Sequence, residues 1–391
     1  MTRPQLKVLE ASQLEDKVCV VIGTRPGIIM LSPVIRELDR RGVPYFVLHT
    51  GQHYSHNMDR QLTDELELPE PTHKLDGVGA ESMHGAQTAA MLRGCEEVLL
   101  EERPKVVLVG GDANTNLAGA LAARKLHIGV GHVEAGERSH DWRMPEEHNR
   151  VIIDHISEYL FVTNEKGRQN LQADNVRGHV VITGNPIVDA TRENLEIARR
   201  TSSLPGSLGL QRGGYCVLTT HREENVDDRD VLADILAGMR LLWRELGRPI
   251  VFAAHPRTRK RMAEFGLVDY AAGIGGLVVT EALGYLDFLA LLDGAALVLT
   301  DSGGVQQEGC ILRVPAVTLR DSTEWTETVA IGANMLAGTA PERILDAAAT
   351  MLGREVASVG PFGDGRAAGR IVDTVEVALA EGREPLVEEL G

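Results

Sequence analysis

The stretch Lys105–Arg150 reads KVVLVGGDANTNLAGALAARKLHIGVGHVEAGERSHDWRMPEEHNR. An apolar run, Val106 to Val109, meets a Gly110-Gly111-Asp112 turn and then a helical pattern. A second apolar run, Ile128 to Val133, ends around His132 and Glu134. A polar loop follows, closed by Pro145-Glu146-Glu147, which has the proline and acidic residues favoured in a first helical turn. Short apolar runs alternating with helices read as buried parallel strands of an α/β sheet. Ligands of such sheets bind beyond the carboxyl ends of the strands. Asp112 and Glu134 stand at two successive strand ends and Glu146 opens the next helix, so the three carboxylates are expected to converge on one pocket.

Working outward, the alternation continues. Strands are predicted at Lys17–Ile22, Tyr45–His49, Tyr159–Thr163 and Val180–Thr183, with helices between them, including 57–66 and 81–102. Pro33 falls inside the first helix and predicts a kink or a restart there. The segment Thr201–Gly214 is rich in Ser, Gly and Pro without periodicity and reads as a linker. Alternation then starts afresh, with strands at Tyr215–Thr220, Ile250–Ala254, Leu277–Thr280, Ala296–Thr300 and Ala316–Leu319. Two blocks of this kind predict two Rossmann-like, doubly wound parallel-sheet domains around a central cleft. The expected boundaries are 1–205 for the first, carrying the carboxylates, and 206–366 for the second.

At 391 residues the chain has room for two or three domains with their own cores. A hydrophobic fraction of 43% and a charged fraction of 25% fit an ordinary globular protein. The net charge of -16 argues against a nucleic-acid surface, which needs clustered Lys and Arg. Cys19, Cys95, Cys216 and Cys310 form no C-x-x-C pair, so neither zinc nor a disulfide framework is indicated. The first residues lack the apolar core of a signal peptide and no run approaches membrane-spanning length, so the cytoplasm is the expected location.

Many predicted strand ends carry polar or Gly-rich turns. One such turn is an ordinary connection; several together line a binding site in open sheets. Thr300-Asp301-Ser302-Gly303-Gly304 follows a strand and opens a helix, where free N–H groups and the helix dipole suit a phosphate. The plainer reading makes Asp301 or Ser302 an N-cap. Neither a P-loop nor a strand-end G-x-G-x-x-G is present, so no nicotinamide cofactor is expected. Arg25, at a strand end, adds a fork for phosphate. His221 and His255 end second-block strands and are ligand-contact candidates. Taken singly, Asp112 and Glu146 read as helix caps, while Glu134 has no capping role. His132 with Glu134 lacks the further ligands of a metal site.

The combination resembles the non-hydrolysing UDP-N-acetylglucosamine 2-epimerases. It is carried by GTRP (Gly23–Pro26), TGQH (Thr50–His53), GGD (Gly110–Asp112), GHVEAGERS (Gly131–Ser139), MPEEHNR (Met144–Arg150), TGN (Thr183–Asn185), THREEN (Thr220–Asn225) and TDSGGVQQE (Thr300–Glu308). The resemblance implies a fold similar to GT-B glycosyltransferases, with a last helix, about 367–391, packing back on the first domain. It implies inversion at C2 of UDP-GlcNAc by elimination of UDP to a 2-acetamidoglucal and re-addition. No cofactor is implied. The family's acid/base carboxylates fall on Asp112, Glu134 and Glu146, and His221 joins them in the catalytic set. Substrate contacts fall on Arg25, Arg150, Asn185, His255, Phe288 near the uracil, Ser302, Gly303, Gly304 and Glu308. Where the family usually continues GTRPE-x-I-K, this chain has Gly27 for the Glu and Met30 for the Lys. Glu137 and the Thr323–Glu327 segment also depart from the usual pattern.

Three other readings share this sequence. They are a hydrolysing relative that releases ManNAc and UDP, a glycosyltransferase of the same fold, and a nucleotide-sugar-binding protein without turnover. The expected partners are a UDP-sugar and a second copy of the chain in a homodimer.

Overall fold

A computed structural model of the chain describes residues 8–52, 62–81, 83–357 and 360–381. His53 and the first half of the expected helix 57–66 lie outside the described residues, as does 382–391 at the C-terminus. The chain divides into two compact units, Met1–Ala190 with Phe362–Gly391, and Thr191–Pro361. The division falls inside the helix Pro186–Thr201, not in the segment read as a linker. Thr201–Gly214 belongs to the second unit and carries a short helix, Leu204–Ser207. Leu208 and Leu210 pack against the cluster of Tyr215, Val217 and Leu291, which ties this Ser/Gly/Pro-rich segment down.

The first unit holds seven parallel strands in the order β3-β2-β1-β4-β5-β6-β7. They are β1 (Glu15–Ile22), β2 (Tyr45–His49), β3 (His73–Lys74), β4 (Pro104–Gly110), β5 (Gly129–Ala135), β6 (Tyr159–Val162) and β7 (His179–Ile182). The order reverses between β1 and β4, the switch point of an open α/β sheet. β1 is buried from Val18 to Ile22, as a strand covered on both faces must be. The second unit holds six parallel strands in the order β10-β9-β8-β11-β12-β13. These are β8 (Cys216–Thr219), β9 (Ile250–Ala253), β10 (Leu277–Thr280), β11 (Leu297–Thr300), β12 (Ala316–Thr318) and β13 (Asn334–Leu336). Leu218, Leu236, Phe252 and Leu299 anchor its core. Two strands, β3 and β13, have no counterpart in the sequence reading. Both are edge strands of two or three residues, too short to leave an apolar run.

The helix Arg25–Arg41 starts where Thr24 accepts a hydrogen bond from the Gly27 N–H (3.3 Å). It continues through Pro33. Proline cannot donate to the carbonyl four residues back; here the Ser32 hydroxyl donates to that carbonyl, Ile29 O, at 2.8 Å instead. The helix Asn114–Lys125 has no side-chain cap of its own. Gln52 Oε1, from the turn after β2, accepts from the Thr115 N–H and hydroxyl (2.8 Å each). In the first unit the strand-end turns thus hold one another in place.

Candidate functional site

The carboxyl ends of β4, β5 and β7 assemble one cluster in the first unit. β5 is irregular at Glu134. Val133 pairs with Phe161 and Ala135 with Val162, which leaves Glu134 as an extra residue in the strand. Its φ of 70° is unusual for a side-chain-bearing residue. Gly136 completes the turn at φ 76°, where a Cβ would stand 2.3 Å from Gly167 O, so the backbone can pass there only as glycine. The half-buried Glu134 carboxyl receives a hydrogen bond from Asn185 Nδ2 at 2.7 Å. Burial, Glu137 and Asp112 push its pKa up to about 7, against the weaker pull of Asn185 and Arg150.

Asp112 does not cap the helix that follows it. Its carboxylate pairs with Arg150 Nη2, while Asn149 Nδ2 donates to its backbone carbonyl at 2.8 Å. Arg150 also bonds the buried Glu147 (2.8 Å). Glu147 in turn accepts from the Ser139 and His140 N–H groups (2.9 Å each) and so pins the loop before the helix Pro145–Ile156. Burial raises its pKa, but these donors outweigh burial and bring it to about 2. Glu146 sits in the first turn of the same helix. Among the described residues its carboxylate has no hydrogen-bonding or ionic partner.

Met30, where the resembling family has a lysine, is buried. A Cβ at Gly111 would lie 3.5 Å from both Met30 Cε and Glu134 Oε2, so the two side chains flank Gly111. Arg25 is exposed at the first position of its helix. His132 turns into the interior toward Asp154, not toward Glu134. Among the described residues no group of three or more His, Cys, Asp and Glu side chains could hold a metal ion.

In the second unit the hub is Asp301, fully buried after β11. It accepts from Thr220 Oγ1 (2.6 Å), the backbone N–H groups of His221 and Arg222 (3.0 Å each) and Asn225 Nδ2 (3.1 Å). His221 Nδ1 lies 3.2 Å from it. Burial would raise the Asp301 pKa, yet the hydrogen bonds from His221 and Thr220 hold it at about 2. One carboxylate therefore fixes the THREEN turn against the TDSGG turn. His255 is the N-cap of the helix Pro256–Glu264, and its ring lies 5.7 Å from that of His221. Ser302 occupies the N-cap position of the helix Gly303–Leu312 without a capping bond from its side chain, and no acidic residue stands in the first turn. The N–H groups there are those an anion would use. Glu324 lies beside them: a Cβ at Gly303 would come within 2.2 Å of its Oε1. It is held by Arg320 (2.8 Å) and Arg222 (3.2 Å). Gly304 is open, Glu308 is buried on the same helix, and Phe288 packs half-buried among Leu283, Leu291 and Leu292.

The structure thus brings Asp112, Glu134, Arg150 and Asn185 together in the first unit, and His221, His255 and Ser302–Gly304 to neighbouring strand ends of the second. Asp301 was expected as no more than a cap. Asp154, Arg138, Glu147 and Glu324 were not anticipated. One signal was legible: Glu147, Arg150 and Asp154, at i, i+3 and i+7, share a helix face.

The family model of UDP-N-acetylglucosamine 2-epimerase matches residues 36–376. The chain is 46% identical over 359 residues to the UDP-N-acetylglucosamine 2-epimerase of Methanocaldococcus jannaschii, covering 91% of this chain and 98% of that protein. It is 38% identical over 362 residues to the UDP-2,3-diacetamido-2,3-dideoxy-D-glucuronate 2-epimerase of Pseudomonas aeruginosa, covering 91% and 98%. The crystal structure of the M. jannaschii UDP-GlcNAc 2-epimerase in complex with UDP-GlcNAc and UDP superimposes with a TM-score of 0.81 at 46% identity, covering 92% of this chain and 99% of that one.

Proposed function

This chain belongs to the UDP-N-acetylglucosamine 2-epimerase family, and from that premise we propose that it interconverts UDP-GlcNAc and UDP-ManNAc by inverting C2 of the sugar. The observation that carries the chemistry is Glu134. A carboxyl with a pKa of about 7, set next to the Asp112–Arg150 pair, can both hold and release a proton at neutral pH. In the reaction a base takes the C2 proton while the C1–O bond breaks and UDP departs, leaving 2-acetamidoglucal. An acid then protonates C2 on the other face, and the UDP oxygen re-attacks C1. Asp112, Glu134 and Glu146 supply the proton carriers. Arg150 and Asn185 orient them and the sugar.

The second unit serves the nucleotide. The helix N-terminus at Ser302–Gly304 and His221 receive the diphosphate, whose negative charge grows as it leaves. Phe288 flanks the uracil, and His255 and Glu308 complete the contacts of this unit; Arg25 is the first unit's own candidate for a phosphate contact. Bound Glu324 must move aside or share Arg222 and Arg320 when the diphosphate arrives.

The test is incubation with UDP-GlcNAc in D₂O followed by proton NMR. Deuterium at C2 of both UDP-sugars is the expected result. Free ManNAc would instead mark a hydrolysing enzyme, and binding without exchange a non-catalytic nucleotide-sugar protein. No helix among the described residues is long and apolar enough to cross a membrane. We place the protein in the cytoplasm, where nucleotide sugars are made, as a homodimer, which light scattering would verify.

A further inference from the structure

Behind the carboxylate cluster lies a buried network that the reaction as written does not use. Asp154, on the helix Pro145–Ile156, is fully buried, and His132 on β5 is 1% exposed. Asp154 Oδ1 meets His132 Nδ1 at 2.7 Å. The other ring nitrogen, Nε2, meets the carbonyl oxygen of Gly111 at 3.0 Å. Asp154 Oδ2 accepts from the Gly136 N–H (3.2 Å) and pairs with Arg138 Nη1 (2.7 Å). Arg138 continues to Asp174 (2.8 Å). Gly111 is tied a second time, by its N–H to Val133 O at 3.0 Å.

The His132 ring thus links the Asp154 carboxyl to the Gly111 carbonyl. The residues fixed are the flanks of the proton carriers: Gly111 precedes Asp112, while His132 and Gly136 bracket Glu134.

We propose that Asp154 is a positioning residue for the proton transfer, holding the turns of Asp112 and Glu134 in register, directly through Gly136 and through His132 at Gly111. The inference rests on the 2-epimerase reading. Geometry matters at this level because misplacing an acid or base by about 1 Å costs about 100-fold in rate.

The test compares full-length D154N and H132Q with the parent protein. In D154N the amide keeps one acceptor oxygen, while the NH2 on its other side can only donate, so the charge shared between His132 and the Gly136–Arg138 pair is lost. H132Q cuts the link to Gly111 and leaves Asp154 with Arg138 and Gly136. Both variants are expected to lower kcat for C2 exchange by about 100-fold while KM and the UDP affinity measured by calorimetry stay within about threefold of the parent. Exchange by the parent itself tests the functional reading, so only the ratio of variant to parent bears on Asp154. A readout independent of turnover is the backbone ¹H–¹⁵N spectrum: the Gly136 N–H, bonded to Asp154 Oδ2, should shift in D154N and stay near its parent position in H132Q. Exchange within about twofold of the parent in both variants would overturn the proposal. So would loss of UDP affinity in step with kcat, an unmoved Gly136 resonance in D154N, or failure of both variants to fold.

Discussion

Three departures from the ordinary meet at the Glu134 carboxyl and its backbone. Its φ is positive, it is the unpaired residue of an irregular strand, and its pKa stands at about 7 instead of 4.5. The shift has a stability sign. The native state binds the proton more tightly than the unfolded chain, so stability falls as pH rises from about 4.5 to about 7. Glu134→Gln removes this cost. It should be more stable than the parent above pH 7, by on the order of 3 kcal/mol at most, with the difference shrinking toward acid pH. The same variant should keep UDP affinity and lose C2 exchange by at least about 100-fold. Denaturant titrations at two pH values and exchange in D₂O check both halves; normal exchange would remove Glu134 from the catalytic set. An active-site residue whose removal stabilises the fold is the expected pattern where function strains structure.

Elements carry the site because their own irregularities are compensated. The helix Arg25–Arg41 holds Pro33 in its buried middle without a break, and the Ser32 hydroxyl replaces the missing donor at Ile29 O. Ser32→Ala should therefore cost about 1 kcal/mol in urea unfolding, the value of one buried hydrogen bond, and leave C2 exchange unchanged. A kink or restart is the natural reading of Ser-Pro inside a helix. The helix does not restart here, because the hydroxyl, not the backbone, fills the gap. The helix Pro145–Ile156 shows a different departure from routine. Its buried face carries Glu147, Asn149 and Asp154; Glu147 and Asp154 accept from N–H groups of the loop after β5, and Asn149 donates to the Asp112 carbonyl after β4. Hydropathy assigns such a stripe to solvent, so the helix was legible and its orientation was not.

On the scale of the whole chain, the last helix returns to the first unit. Ala367–Glu381 buries Ile371, Val372 and Val375. Asp189 accepts from the Ala367 and Ala368 N–H groups (3.2 and 3.1 Å), and Arg41 pairs with Asp373 and Glu376. Just before it, Phe362 O accepts from the Asn185 N–H at 2.8 Å, and Asn185 is the partner of Glu134. A chain ending at Pro361 should lose cooperative unfolding of the first unit, since three buried aliphatic side chains are worth roughly 5–9 kcal/mol together, and should lose C2 exchange with it. Circular dichroism during urea titration reads the first, NMR the second. Two parallel sheets were legible because buried strands leave continuous apolar runs such as VCVVI. Asp112, Glu134, His221 and the DSGG turn were legible because polar residues at strand ends interrupt those runs. The short edge strands β3 and β13 left no such trace. The place of the unit boundary also escaped, because a Ser/Gly/Pro composition says how a segment can bend, not whether leucines beside it find a core. The sequence by itself determined the layered α/β architecture and which strand ends carry polar turns, since both follow from local periodicity. Only the tertiary structure decided which carboxylate is pushed toward neutrality, which is spent on holding a turn, and how Asp154 reaches both Gly111 and Gly136. Those outcomes depend on burial and on donors from distant segments, and no local pattern encodes them.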